Sequence, residues 1–185
     1  MTHPILIAFI SHDGQTARIA HRLGERLAAR HLPVDVVDLG VSECSTEGVR
    51  GVVFGAPVRY GRFPRAARHW GGAHRAALNA LPGAFYGVSL VAGSARPQDA
   101  GVADRLRDDL LRQTGWTPAL KTSFAGALRY PAYNPLIRWM MRRIAGKSGG
   151  STDTSRGHDY TDWAAVDAFA GEIADRMAAP PAGQP

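Results

Sequence analysis

Short apolar runs and longer segments of helical periodicity alternate along most of this chain. Pro4 to Ile10 is a compact apolar run of strand length. The segment after it carries Ile19, Leu23 and Leu27 at intervals of four, while Arg18, Arg22, Arg26 and Arg30 mark a wet face; this spacing predicts an amphipathic helix. Further strands are expected at Val34–Leu39, at Val52–Ala56 ending on Pro57, at Phe85–Ala92 and at Ala119–Gly126. Three more helices fill the intervals. Pro64–Leu81 turns Ala66, Ala67, Trp70, Ala73 and Ala77 inward; Ala103–Gln113 turns in Leu106, Leu110 and Leu111; Ala164–Met177 lines up Val166, Phe169, Ile173 and Met177.

Strands that alternate with helices call for a parallel sheet covered on both faces, an α/β class. Neither an internal repeat nor a dividing linker is visible, so one domain over residues 1–178 is expected, with a disordered tail at 179–185. One stretch breaks the rhythm. Residues 127–160, between the fifth strand and the last helix, form an insertion far longer than a usual βα connection, and such loops tend to carry function.

Composition adds little, because 45% apolar and 21% charged residues are ordinary for a globular protein. The single cysteine, Cys44, excludes an internal disulfide framework and fits a reducing compartment. No secretory signal pattern opens the chain and no run approaches the ~20 apolar residues of a membrane span, so a cytoplasmic protein with at most peripheral membrane contact is expected. Charge is more informative. The net +6 is concentrated in two regions without any acid, Gly48–Gln98 and Leu110–Thr152. Such polarity implies an anionic partner: a nucleic acid, an anionic lipid surface or an acidic small molecule. No zinc-type Cys/His spacing and no RNA-binding aromatic motif is present, so neither a metal nor a nucleic acid is expected.

Directly after the first strand stands Ser11-His12-Asp13-Gly14-Gln15-Thr16, leading into a helix. Hydroxyls, a glycine and the free N–H groups of a helix start can surround a phosphate, helped by the helix dipole. No lysine follows the glycine as in a Walker loop, and the glycine trio of dinucleotide folds is absent. Asp13 sits oddly beside a phosphate and is expected to point away and cap backbone N–H groups. The loop resembles the Ser/Thr-rich phosphate loop of flavodoxins, which bind FMN. A flavodoxin-like, doubly wound five-stranded parallel sheet of order 2-1-3-4-5 is therefore expected, with its crevice at the C-terminal strand ends. The loops after the third and fourth strands would then hold the flavin ring: Pro57, Val58, Arg59, Tyr60 and Gly61, and Leu90, Val91, Ala92, Gly93 and Ser94. Tyr60 suits stacking or ordinary packing equally, and Arg59 would place positive charge by a reduced flavin. Both acid-free regions feed loops at this end, which predicts a basic rim around the mouth.

Within the insertion, Asn134-Pro135 reads as a helix start. Leu136, Ile137, Trp139, Met140, Met141 and Ile144 then share a broad apolar arc, opposed by Arg138 and Arg142, with Arg143 at its border. A bulky apolar face set against arginines alone suits a membrane interface.

Together these residues resemble a known family, the flavodoxin-like, quinone-dependent protoporphyrinogen IX dehydrogenases (oxidases) of bacterial haem biosynthesis. The matching pieces are Asp13-Gly14-Gln15-Thr16, Arg59-Tyr60-Gly61, Ala84-Phe85-Tyr86, Leu90-Val91-Ala92, Ala125-Gly126-Ala127-Leu128-Arg129-Tyr130-Pro131, Ser148-Gly149-Gly150 with Thr152-Asp153-Thr154, and Tyr160-Thr161-Asp162-Trp163. The chain departs from the family at Asn134-Pro135-Leu136 and at His12. The resemblance implies FMN as cofactor, protoporphyrinogen IX as substrate and menaquinone or ubiquinone as acceptor at the cytoplasmic face of the inner membrane. Arg129, Tyr130, Arg138, Trp139, Arg142 and Arg143 become candidates for substrate or membrane contact. No general base is assigned; His74, His158, Tyr60 and Tyr86 are the candidates. The alternatives are a flavodoxin-type electron carrier and an NAD(P)H:quinone reductase, and the oligomeric state stays open.

Overall fold

The structure, a computed structural model, describes residues 3–99, 101–128 and 158–178. Five parallel strands form one sheet in the order β2-β1-β3-β4-β5: β1 Ile5–Phe9, β2 Val34–Asp38, β3 Gly51–Pro57, β4 Gly83–Ser89 and β5 Leu120–Ala125. Among the described residues, five helices accompany them: α1 Gln15–Ala28, α2 Arg65–Ala73, α3 Arg75–Ala80, α4 Val102–Thr114 and α5 Trp163–Ala178. The expected strand order is the one observed, and strand order reverses between β1 and β3, where doubly wound sheets open a crevice.

The two-residue period of a strand divides the central strands between two layers. Ile5, Ile7 and Phe9 of β1 join Val53, Ala84, Tyr86 and Val88 in one core, closed by Ile19, Leu23 and Leu27 of α1 and by Val166, Phe169 and Ile173 of α5. Leu6 and Ala8 join Val52, Phe54, Ala56 and Phe85 in the other, closed by Ala67, Leu78, Leu110 and Leu111. Strands buried on both faces read as unbroken apolar runs, which is why β1, β3 and β4 stood out in the sequence.

Three expectations need correction. The helical stretch 64–81 is two helices, because His74 leaves helical geometry at φ −98°, ψ 10°. Ala66 and Ala73 face solvent, and Gly71 and Leu78 take the inward places beside Ala67. The fourth strand stops at Ser89 rather than Ala92, and Val91–Gly93 forms a 3₁₀ turn. The turn is fixed by Ser89, whose hydroxyl oxygen accepts from the Ala92 N–H at 3.2 Å.

The α1 arginines do more than face water. Arg22 and Arg26 both grip Asp167 of α5, at 2.7 and 2.6 Å, while Arg30 reaches Asp175 at 2.9 Å and Arg18 reaches Asp159 at 2.8 Å. The guanidinium groups of Arg26 and Arg22 hold the Asp167 carboxyl well below the usual carboxylate range. A carboxyl depressed in this way adds stability above its unfolded value near ~3.9, and the gain disappears as pH falls through the folded value. Asp167→Asn should therefore lower the melting temperature at neutral pH and flatten its fall below about pH 4. Thermal melts across that range check this; parallel curves for the two proteins would refute it.

Among the described residues, the basic rim is narrower than the charge runs imply, because a run of sequence visits both ends of a sheet. Arg50, Arg75, Arg112 and Lys121 lie at the far end, near strand starts and helix C-termini. Arg112 is bound to Asp109 and Lys121 to Asp108. Arg59, Arg62, Arg65 and Arg96 belong to the loops and helix start at the C-terminal edge. Among the described residues, Arg62, Arg65 and Arg96 have no acidic partner.

Candidate functional site

Loops from four strands enclose a cavity of about 220 Å³ at the C-terminal edge of the sheet. Asp13, Gln15 and Thr16 come from the loop after β1, Pro57 through Gly61 from the loop after β3, and Val88 through Val91 from the end of β4. Val102 and Leu106 of α4, with Gly126 and Ala127 beyond β5, close the rest.

At one end of the cleft, α1 begins without any side-chain cap and without an acid in its first turn. Gly14 occupies the cap position at φ 82°, a left-handed conformation that only glycine adopts freely. A helix start whose first N–H groups are left open, apart from that of Ala17 on Ser11 Oγ at 3.4 Å, and where an acid would be customary, matches an external anion. The turn is held from below: the Tyr86 hydroxyl donates to the Thr16 carbonyl at 3.1 Å. Beside it, Gln15 is turned toward the chain's return from the insertion. Its amide nitrogen donates to Thr161 Oγ1 at 2.7 Å and to Asp159 Oδ1 at 3.0 Å. Burial opposes the charge of Asp159, but the Thr161 backbone N–H and the Arg18 guanidinium outweigh it and hold this carboxyl below the usual range.

The remaining loop residues divide. Ser11 Oγ accepts from the Ala17 N–H at 3.4 Å, and His12 is exposed; neither they nor Gly14 line the cavity itself. Asp13 does not cap backbone groups as expected. Its carboxylate lies 4.0 Å from the Arg59 Nε, which offsets its charge beside the anion position.

Arg59 through Arg62 make a two-residue hairpin, with reciprocal backbone bonds of 2.9 and 3.1 Å between the two arginines. Tyr60 and Gly61 at its tip both have positive φ, 51° and 72°, the type I′ pattern. A tyrosine there is strained where Asn or Gly would be relaxed, and such strain gathers at functional positions. Tyr60 is 60% exposed, with the Arg59 guanidinium 5.5 Å from its ring centroid. Across the cleft stand Leu90 and Val91, while Ala92, Gly93 and Ser94 lie beyond its lining, Ser94 donating to Asp99 at 2.6 Å.

The structure therefore brings Asp13, Gln15, Thr16, Pro57, Val58, Arg59, Tyr60, Gly61, Leu90 and Val91 together, and leaves Ser11, His12, Gly14, Ala92, Gly93 and Ser94 off the wall. Sequence reasoning missed Val102 and Leu106. Half-buried Leu106 had been counted as core, and only its place near the start of α4 hinted at the mouth. Ser89 was missed because it was read as mid-strand. Arg129, Tyr130, Arg138, Trp139, Arg142 and Arg143, the expected insertion helix and the tail lie outside the described residues. What is described of the insertion is its neck, where β6 Ala127–Leu128 pairs antiparallel with β7 His158–Asp159.

Two candidate bases are removed. Tyr86 is completely buried, burial pushes its phenol far above the ordinary range, and its hydroxyl is already donated to Thr16. His74 sits at the junction of α2 and α3, toward the opposite end of the sheet, its Nδ1 2.9 Å from the Trp70 carbonyl.

This architecture has known counterparts. The flavodoxin domain family matches residues 6–155. Flavodoxin 1 from Bacillus cereus superposes with a TM-score of 0.56 at 17% identity, covering 93% of this chain and 97% of that one. The protoporphyrinogen IX dehydrogenase [quinone] of Escherichia coli K12 is 38% identical over 170 residues, 91% of this chain and 93% of its own length. The protein of that name from Leishmania major is 36% identical over 180 residues, 95% of this chain and 77% of its own length. A flavodoxin-domain match over most of the length, joined to this identity with both dehydrogenases, means that the chain belongs to the flavodoxin-like, quinone-dependent protoporphyrinogen IX dehydrogenase family.

Proposed function

We propose that this chain oxidises protoporphyrinogen IX to protoporphyrin IX with FMN in the cleft and passes the electrons to a quinone, as a step of haem biosynthesis. The observation that carries the reading is the uncapped, acid-free start of α1 at the end of a cleft, in a chain 38% identical to a dehydrogenase of that name. Bound FMN supplies the two-electron chemistry, three rounds of which account for the six electrons that separate porphyrinogen from porphyrin.

The protein's part is to hold and orient. The N–H groups at the start of α1, with Thr16, take the phosphate end, while Tyr60, Leu90 and Val91 offer flat and apolar contact to a ring. Arg59 and Arg62, at the two ends of the exposed hairpin, suit the carboxylates of a propionate-bearing substrate. Tyr60, which lines the cleft, and His158, on the neck strand β7, remain as candidates for moving protons.

Quinones reside in bilayers, and peripheral contact with the cytoplasmic side of the inner membrane belongs to this reading. Arg62, Arg65 and Arg96, which have no acidic partner among the described residues, support it, since they add attraction to anionic headgroups. No helix among the described residues is long and apolar enough to cross a membrane.

Purified, FMN-loaded protein supplied anaerobically with protoporphyrinogen IX and a menaquinone analogue should develop porphyrin fluorescence that depends on both protein and quinone. It should also sediment with phosphatidylglycerol vesicles at low salt and be released at high salt. A yellow protein that yields no porphyrin above the blank would reject the substrate. Oxidation of NADPH without porphyrinogen would instead favour the quinone reductase, and inertness toward both would favour the electron carrier.

A further inference from the structure

Gln15 occupies the first position of α1, yet its side chain is only 5% exposed and all its polar atoms are engaged. The amide nitrogen makes the two bonds to Thr161 and Asp159 described above, and the amide oxygen accepts from Arg18 at 3.0 Å. The same Arg18 nitrogen donates to the other oxygen of Asp159 at 2.8 Å, closing a ring of bonds. Thr161 is 9% exposed; its hydroxyl donates to the Ala125 carbonyl at the end of β5, and its N–H donates to Asp159 at 3.0 Å. The neck is closed by β6 and β7 and by Tyr160 N–H on the Gly126 carbonyl at 3.2 Å. One compact network thus joins three regions far apart in sequence: the phosphate-binding turn, the end of β5 and the limb on which the chain returns from the insertion.

We infer that Gln15 and Thr161 are positioning residues that fasten this return limb to the first turn of α1, so that phosphate binding at the turn and docking of the limb favour one another. The inference rests on the reading of the cleft as an FMN site. The first turn of α1 has no acid and no cap from its own cap residue, only the long Ser11 contact to the Ala17 N–H, so much of its orientation comes from outside. Tyr86 braces it from β4, and the Gln15 amide braces it from the neck. Asp159 does not repel an anion strongly, because Arg18 and the Thr161 N–H neutralise and orient it. If the docked limb improves the turn for phosphate, then bound phosphate must stabilise the docked limb by the same factor, since coupling between two binding events is reciprocal.

Titrations with FMN and with riboflavin, which lacks the phosphate, test this on wild type, Gln15→Leu, Thr161→Val and Thr161→Ser. Gln15→Leu and Thr161→Val should each weaken FMN about tenfold and leave riboflavin within about twofold, while Thr161→Ser should bind like wild type. In wild type, FMN should slow hydrogen exchange at the Tyr160 and Thr161 amides; in Gln15→Leu that protection should be lost. Thr161→Val replaces one hydroxyl with a methyl and keeps the test decisive if Gln15→Leu does not fold. Equal loss of FMN and riboflavin, no loss of either, or Thr161→Ser as weak as Thr161→Val would overturn the inference alone. Wild type that binds no FMN would overturn it together with the proposed function.

Discussion

Gly14→Val should reduce FMN affinity by up to roughly a hundredfold while leaving most of the sheet intact. Gly14 enters α1 at φ 82°, and a β-branched residue there is a true outlier whose cost is of order 1–3 kcal/mol. The cheapest relief is for the turn to change conformation, which swings the open N–H groups away from the cleft. Binding falls because the phosphate loses several aligned donors at once. Gly14→Ala, with a smaller strain of about 1 kcal/mol, should lose correspondingly less. Flavin fluorescence titration, with a thermal melt of the flavin-free protein alongside, separates lost binding from lost fold. Unchanged FMN affinity in Gly14→Val would remove the turn from the site.

The largest effect on stability is expected at Gly55. This residue of β3 is the register partner of Tyr86 in β4, and a Cβ built on it would overlap the Tyr86 ring. That ring cannot swing aside, because it is completely buried and its hydroxyl is bonded to the Thr16 carbonyl. Gly55→Ala should cost about 3 kcal/mol from overpacking, and more if the Thr16 bond breaks, lowering the melting temperature by roughly 10 °C. Since Tyr86 also braces the turn at the start of α1, FMN affinity should fall with stability if that turn holds the phosphate as proposed. Adding Tyr86→Leu makes room for the Cβ, so the double variant should be more stable than the sum of the single effects implies. A melting temperature for Gly55→Ala equal to wild type would mean that the overlap is relieved without cost.

Much of this fold could be read from the chain because its central strands are buried on both faces. Ile5–Phe9 and Phe85–Ser89 announce themselves as apolar runs, and the four-residue spacing of Ile19, Leu23 and Leu27 leaves little choice for α1. The same logic fails where an apolar run serves a cleft. Leu90 and Val91 continue the run of β4 but line the cavity, so the strand looked longer than it is. Helix breaks depend on single residues, and nothing in the composition of 64–81 marked His74 as the place where α2 stops. The turn after the first strand was legible as a candidate site from its position, whereas the contacts of its residues were not. Ser11 looked like a ligand and is engaged with Ala17; Gln15 looked like a ligand and is committed to Thr161 and Asp159. Those partners lie 144 and 146 positions away, beyond any local pattern. The pairing of the α1 arginines with Asp159, Asp167 and Asp175 was hidden for the same reason, since the packing of α5 on α1 brings Asp167 and Asp175 within reach and the neck strand β7 brings Asp159.

One titration bears most directly on the site. Flavin-free protein in the presence of a chelator should take up FMN to about one equivalent per chain, with inorganic phosphate competing for the turn at the start of α1. Uptake that requires magnesium, or FMN binding that phosphate does not disturb, would contradict a phosphate held by the open N–H groups of that helix.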